Sequence, residues 1–445
     1  MMKRFNKAPK SLVALAAAFA LAGCEDLLDV NNPNNLVEES IRQEAAASAV
    51  VNGALSLTAD AVSNMWQVYL VPTDEFYWIG SRDAWLSLDQ GFLSDPNNEF
   101  TDAAFPNLGQ ARWMGDEAIE ILTEHVANKP NNASFKRDLA RANLFSGLTY
   151  MVIGEVQEDF AFSDKTEDGA PVGPSNMSQV LDGAISRLDK SVQLFGELGD
   201  ADMVLTARAI RARAKHSRAV WNKLNPSANT SAPYVDAGTD DAAFVIANAS
   251  ADWMYSLTYS SGTLQNDFSS NVNDRKENQI DKSLVTINAA NDVSGIALRD
   301  PIDNIEDPVV TARVRRWKSG DVTDKGTIYA PMDIVSTRMM HLIMAESELA
   351  KGNNAGFTTH INHVRMMDNL TPYAGQISAK AMLNHERRVN TLFMGQRLAD
   401  MYRFGITDPL WQPNGDAIQA PGTMLPITII EIRANCHLNG LGCGG

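Results

Sequence analysis

The chain has 445 residues, with 38 Lys and Arg against 54 Asp and Glu, a formal net charge of −16. So acidic a surface repels nucleic acid and anionic lipid headgroups, which excludes both as expected partners, and it also serves solubility. The length is more than one core usually serves, so two interlocked lobes or an extended solenoid are expected.

The first element is a leader. Lys3, Arg4, Lys7 and Lys10 form a positive end, and Ser11 to Gly23 is a short run of Leu, Val, Ala and Phe. The run is too short to span a bilayer and reads as a secretory h-region. It closes on Leu21-Ala22-Gly23-Cys24, which resembles the bacterial lipobox. That resemblance implies cleavage after residue 23 and acylation of Cys24 on sulfur and amine, each buried methylene contributing about 0.8 kcal/mol to the anchor. Losing residues 1–23 removes four basic side chains and no acids, so 422 residues carrying a formal −20 would remain. The expectation is an exported protein tethered to a membrane, with no later stretch approaching the roughly 18 consecutive apolar residues of a spanning helix.

Residues 24–36 are acidic and rich in Asn and Pro without helical period, which predicts an extended tether. From about Val37 helical periodicity dominates. Asn107 with Gln110 reads as a capping box ahead of a helix over Ala111–Val126. Further helices are predicted near Phe135–Ile153, Met177–Phe195, Ala201–Leu224, Ile334–Lys351, Phe357–Met367 and Ala379–Phe404. Ala140, Ala142, Ser146 and Gly147, and then Ala207, Ala209, Ala212 and Ala214, supply small residues where paired helices would cross. Such pairs stack as tetratricopeptide-like solenoids, here without the 34-residue signature. Long polar loops are predicted over 159–176, 225–240, 260–332 and 405–425, the kind of segment that carries function on a rigid scaffold.

With Cys24 taken by lipid, Cys436 and Cys443 remain, seven positions apart. In an oxidising setting they should close a disulfide worth roughly 2.5 kcal/mol on chain entropy. A zinc site needs four ligands and only His437 lies nearby, so no metal is expected there.

The C-terminal third carries a pattern. Arg338, Ala345-Glu346, Gly352 and Ile361-Asn362-His363-Val364-Arg365 come first; Glu386-Arg387-Arg388, Gly395-Gln396-Arg397, Asp400 and Arg403 follow; Leu425-Pro426-Ile427, Glu431 and Asn435 close it. In this order they resemble the RagB/SusD family, as does the opening Cys24-Glu-Asp-Leu-Leu-Asp29. Leu398-Ala399 replace the family's aromatic pair, and Cys436 to Cys443 replace its usual ending. The resemblance implies a mostly α, tetratricopeptide-like superhelix of helix pairs with long irregular loops, in two parts over 37–240 and 241–445. Physically, Arg397, Asp400 and Arg403 stand three apart on one helix and can form a ladder of ion pairs, with Gly405 as the helix stop. A network of Glu386, Arg387, Arg397, Asp400 and Arg403 is therefore expected to hold the fold rather than touch ligand.

No catalytic constellation emerges from the sequence. There is no Walker A loop, GxSxG elbow or GxGxxG turn, and no HExxH around His360 and His363, which read as packing or surface residues. Asp164-x-Thr166-x-Asp168-Gly169 opens like a calcium loop but has Ser175 where the closing Glu belongs. For binding, the informative patch is Phe76, Tyr77, Trp78 and Trp85 in a segment rich in Asp, Ser and Gly. Sugar rings present apolar faces that stack on such side chains, so Tyr77, Trp78 and Trp85 are the candidate ligand residues. Trp253, Tyr255 and Tyr259 have helix-face spacing and read as core.

The resemblance implies a non-enzymatic outer-membrane lipoprotein, needing no cofactor, that captures nutrient, a glycan above all. It would deliver this to a SusC-like TonB-dependent transporter. The rival expectations are a lipid-anchored scaffold that recruits protein only, and a surface glycan hydrolase.

Overall fold

The computed structural model describes residues 38–164, 167–318 and 320–443. The leader, Cys24 and the 24–36 tether lie outside these. Met1–Ala46 separates as a first unit, whose described part holds the short helix Glu38–Ile41 and a 3-10 turn at Glu44–Ala46. Everything below concerns the second unit, Ala47–Gly445.

Its first half is a series of long helices: α1 (Ala47–Leu70), a short α2 (Asp83–Asp89), α3 (Glu99–Asn128), α4 (Ala133–Val156), α5 (Ser178–Glu197), α6 (Ala201–Leu224) and α7 (Thr239–Asn248). The large ones pack in turn, α1 on α3, α3 on α4, α4 on α5, α5 on α6 and α6 on α7. Small residues set these distances. A Cβ at Gly147 would lie 2.8 Å from Leu188, and one at Gly154 would lie 2.6 Å from Leu181, so α4 and α5 approach only because both positions are bare. α1 is apolar and long enough by composition to cross a membrane, but its second half, from Ala59 to Leu70, is buried almost throughout, as a core helix is.

The second half begins with β2 (Met254–Leu257, after β1 at Phe76–Trp78). Then come α8 (Asp267–Asn273), β3 (Asn278–Ile280), β4 (Val285–Ile287), β5 (Val293–Ile296), α9 (Pro308–Trp317), β6 (Met332–Ser336), α10 (Thr337–Ala350) and α11 (Asn354–Met366). The chain continues through α12 (Ala379–Asn390), α13 (Arg397–Phe404), α14 (Asp416–Gln419) and α15 (Ile429–Ala434). The strands make three antiparallel pairs: β1 with β3, β2 with β6, and β4 with β5. α7 packs on both α6 and α10, and α10 on α11, so the helical stack continues across residue 240. The architecture is a mostly α, tetratricopeptide-like arrangement of helix pairs with short strands between them.

Several expectations need correction. The helix placed at Ala111 begins at Glu99: Asn98 Oδ1 accepts the N–H groups of Phe100 and Thr101 at 3.1 and 3.2 Å. Asn107 is therefore mid-helix rather than a cap, and Pro106 lies inside the helix, where it removes one backbone donor. The 260–332 segment is not a loop; it holds α8, α9 and three strands. Trp253 and Tyr255 belong to the β2 edge rather than a helix, because Tyr255 pairs with Val335, a partner eighty positions away. The helix predicted over Ala379–Phe404 is broken between Asn390 and Arg397, where Phe393 and Gly395 take φ of 64° and 70°.

Candidate ligand cleft and the buried charge network

Most charged motif residues of the C-terminal third are buried: Glu346, Arg365, Glu386, Arg387, Arg397, Asp400 and Arg403. Glu346 on α10 lies at their centre: its Oε1 and Oε2 meet the two terminal nitrogens of Arg403, the second pair at 3.0 Å. Its oxygens also meet Val235 N–H at 3.0 Å and His216 Nε2 at 3.0 Å, the ionised carboxylate making the imidazole the donor. Asp400 accepts from Arg403 Nε at 2.9 Å and from Arg387 Nε at 2.7 Å. Burial alone would raise the Glu346 carboxyl, but Arg403 and the other cations beside it hold it well below the usual range; Asp400 is lowered in the same way, against burial, by Arg387 and Arg403.

The ion-pair ladder expected on α13 is present from Asp400 to Arg403 but does not extend to Arg397. The Arg397 guanidinium turns to Asp74, in the turn after α1, with contacts of 2.6 and 2.7 Å, and Arg388 joins at 3.2 Å. Glu386 pairs with Arg365 at 2.9 Å, and Arg365 also grips Asp300 at 2.8 and 3.0 Å. The network thus bolts α10, α12 and α13 to the turn after α1. Gly405 ends α13 in the left-handed conformation, φ 70° and ψ 40°.

The closing motif is equally structural. Leu425 N–H donates to Val156 O at 2.9 Å, and Asn435 Nδ2 reaches Glu431 Oε1 at 2.9 Å and Gly169 O at 2.8 Å. Cys436 and Cys443 are joined in a disulfide, and Cys436 N–H donates to Asp168 Oδ2 at 2.8 Å. Asp168, from the calcium-loop lookalike, therefore anchors the C-terminal loop.

The three aromatic candidates do not share one surface. Tyr77 and Trp78 lie on β1, opposite Gln279 and Asn278. Tyr77 is 6% exposed with Lys282 Nζ 4.7 Å from its ring centre, and Trp78 is half-buried with its backbone N–H on Asp89 Oδ2 at 3.0 Å. Burial, then the charges of Asp281 and Asp89, push the Tyr77 hydroxyl up to about 12. Trp85 is 1% exposed and stacks on Phe100, with centroids 3.8 Å apart and planes 12° from parallel. Neither Tyr77 nor Trp85 offers an open ring face.

Trp85 and Phe100 nevertheless wall a cleft of about 520 Å³ between α1, the start of α3 and α8. Its other walls are polar: Asn64 and Gln67 from α1, Arg82 paired with Glu99, and Asn271, Asp274 and Arg275 from the end of α8. Arg82 also lies 4.5 Å from the Phe100 ring centre. At the α1 side, Asp60 is pushed up by burial and then by the charge of Asp267. Amides, carboxylates and guanidinium groups converging above an aromatic wall suit a polyhydroxylated ligand, whose hydroxyls both donate and accept. Sequence reading missed Asn64, Gln67, Phe100 and Asn271. A signal existed: Asp60, Asn64 and Gln67 form a polar stripe at i, i+4 and i+7 in the more apolar second half of α1.

A second, smaller depression of about 150 Å³ surrounds half-buried Trp253 and carries Arg313, Arg316 and Arg338. These cations are already engaged, Arg313 and Arg316 by Asp333 and Arg338 by Asp368.

Comparison with solved structures gives high-probability matches over most of the chain. A SusD superfamily protein from Bacteroides thetaiotaomicron superposes with a TM-score of 0.60 at 13% identity, over 88% of this chain and 98% of that one. The chain has a SusD-like fold. A putative sugar binding protein from Bacteroides vulgatus matches the same SusD-like frame with a TM-score of 0.58 at 12% identity, covering 88% of this chain and 96% of that one. A SusD-like carbohydrate binding protein from the same species gives 0.53 at 11% identity, over 81% and 83%. No family model and no curated protein matches the chain by sequence.

Proposed function

We propose that this SusD-like chain is a lipid-anchored outer-membrane protein that binds a nutrient glycan and passes it to a SusC-like TonB-dependent transporter. The observation that carries the proposal is the polar cleft of about 520 Å³, with Asn64, Gln67 and Asn271 beside Arg82, Glu99 and the Trp85–Phe100 wall. Structural neighbours described as sugar or carbohydrate binding support the same reading. The lipobox at Cys24 supports the anchor. On this reading the protein is a binder rather than an enzyme: the cleft supplies hydrogen bonds and one aromatic wall, and the long helices supply a rigid face for a barrel rim.

The test has two arms. A glycan array followed by calorimetry on hits should return binding without turnover, and Asn64→Ala with Asn271→Ala should weaken it. Hydrolysed products would favour a hydrolase, and no binding to any glycan would favour a scaffold for protein partners. In cells, Cys24→Ala should release the protein from the outer-membrane fraction; unchanged retention would remove the lipid anchor from the proposal.

A further inference from the structure

Three of the seven histidines of the chain meet on one helix pair. His341 lies on the first turn and a half of α10; His360 and His363 lie on α11, three apart and therefore on one face. Nδ1 of His341 and Nδ1 of His360 are 3.2 Å apart. The His341 ring is 5.0 Å from that of His363, and the His360 ring is 6.5 Å from it. His341 is buried, His360 half-buried and His363 exposed, so the cluster runs from the interior out to solvent and has an entry side.

We propose that His341, His360 and His363 form a binding site for a divalent transition-metal ion, Zn²⁺ being the reference case. Two imidazole nitrogens bound tetrahedrally to one zinc, each at about 2.0–2.1 Å, stand about 3.3 Å apart. The 3.2 Å separation of His341 and His360 already has that spacing. His363 is exposed with its ring 5.0 Å from that of His341, so a change of its side-chain rotamer would be needed to bring a third nitrogen to the same point, leaving a fourth position for water.

Imidazole binds metal through the lone pair of its neutral form. Without metal the two facing Nδ1 atoms share one proton in a hydrogen bond, and an ion between them would take that proton's place. Three imidazoles without thiolate suit Zn²⁺, Ni²⁺ or Cu²⁺ over Ca²⁺ or Mg²⁺. A bound ion would clip α11 to α10, the helix that also carries Glu346.

The test uses the full mature chain without a polyhistidine tag. Titration with Zn²⁺ alone, with metal content read after dialysis, should give one saturable ion per chain. His360→Gln and His363→Gln, on the outer helix, should each weaken Zn²⁺ affinity at least tenfold with an unchanged circular dichroism spectrum, as should His341→Gln. Co²⁺ in place of Zn²⁺ should give the visible absorption of a four-coordinate nitrogen site, lost in the same variants. His437→Gln should leave all of this unchanged. No saturable one-to-one binding would overturn the proposal, as would affinity in His360→Gln within twofold of the parent, or loss of binding in His437→Gln alone.

Discussion

The Arg403 guanidinium lies edge-on against the Glu346 carboxylate, both terminal nitrogens matched to both oxygens, with the two side chains fully buried and 57 positions apart in sequence. It joins α13 to α10 at the heart of the C-terminal part. Such a pair adds little net stability over an apolar pair of the same volume, but removing one partner leaves an uncompensated charge in the interior.

Arg403→Met should therefore destabilise the protein by about 3–5 kcal/mol. The double variant Glu346→Leu with Arg403→Met should recover a large part of that loss, which equilibrium denaturation of the three proteins would measure. A double variant no more stable than Arg403→Met alone would show that the uncompensated Glu346 charge is not the source of the loss.

The Glu346 carboxyl is held below its ordinary value of 4.5, and Asp400 below 3.8, by the arginines around them. For a carboxyl lowered by folding, the contribution is complete above the unfolded value and is lost as pH falls through the folded one. Acid titration should thus leave stability from this network intact down to about pH 4.5 and erode it below. Arg403→Met should remove much of that acid-side slope, read from denaturation midpoints between pH 5 and 3.

Gly395 makes the break between α12 and α13 possible. Its φ is 70°, and an added Cβ would lie 2.5 Å from the Trp66 ring. Gly405 has the same φ, but its nearest contact would be Thr230 at 3.5 Å, ordinary packing distance. Gly405→Ala should cost about 1 kcal/mol from backbone strain alone. Gly395→Ala should cost at least about 1–3 kcal/mol more from the clash. Equal losses in thermal unfolding would show that the Trp66 ring moves aside freely.

This break also explains what was legible in the sequence. Periodicity found α6 at Ala201–Leu224 end to end, because its apolar and small residues keep one helical phase throughout. Nothing local marks the interruption at Thr391–Gln396 except one glycine, whose bare Cα lies against the ring of Trp66, hundreds of positions away. The Met254–Leu257 strand was invisible for the same reason: its partner is Met332–Ser336. Around the candidate cleft the aromatic residues are conspicuous in sequence, yet Trp85 is wall, and two of the lining amides, Asn64 and Gln67, sit in a mainly apolar stretch of α1.

Trp85→Ala separates wall from ligand contact. With 1% exposure and a stacked neighbour in Phe100, the truncation should cost about 3–5 kcal/mol of stability. Asn271→Ala, on the half-buried side of the same cleft, should leave the melting temperature nearly unmoved and weaken glycan binding about tenfold, the value of one hydrogen bond. A stable Trp85→Ala protein with lost binding would return that ring to the ligand face.

Glu75 carries the opposite pH dependence to Glu346. It is buried in the turn after α1, one oxygen accepting Phe393 N–H at 3.0 Å while Oε1 finds no partner among the described residues. Burial pushes its carboxyl up from 4.5 to about 8, against the pull of that hydrogen bond. For a carboxyl raised by folding, the stabilising contribution is complete below the unfolded value and is lost as pH rises through the folded one. Between about pH 4.5 and 8 the unfolded chain has released this proton and the folded chain retains it, so stability falls with rising pH, by at most about 1.4 kcal/mol per unit. Glu75→Gln keeps an oxygen for Phe393 N–H and has no proton to lose. Denaturation at pH 5 and pH 8 should show the variant gaining on the parent as pH rises, and a difference that does not change with pH would place the Glu75 carboxyl in its ordinary range.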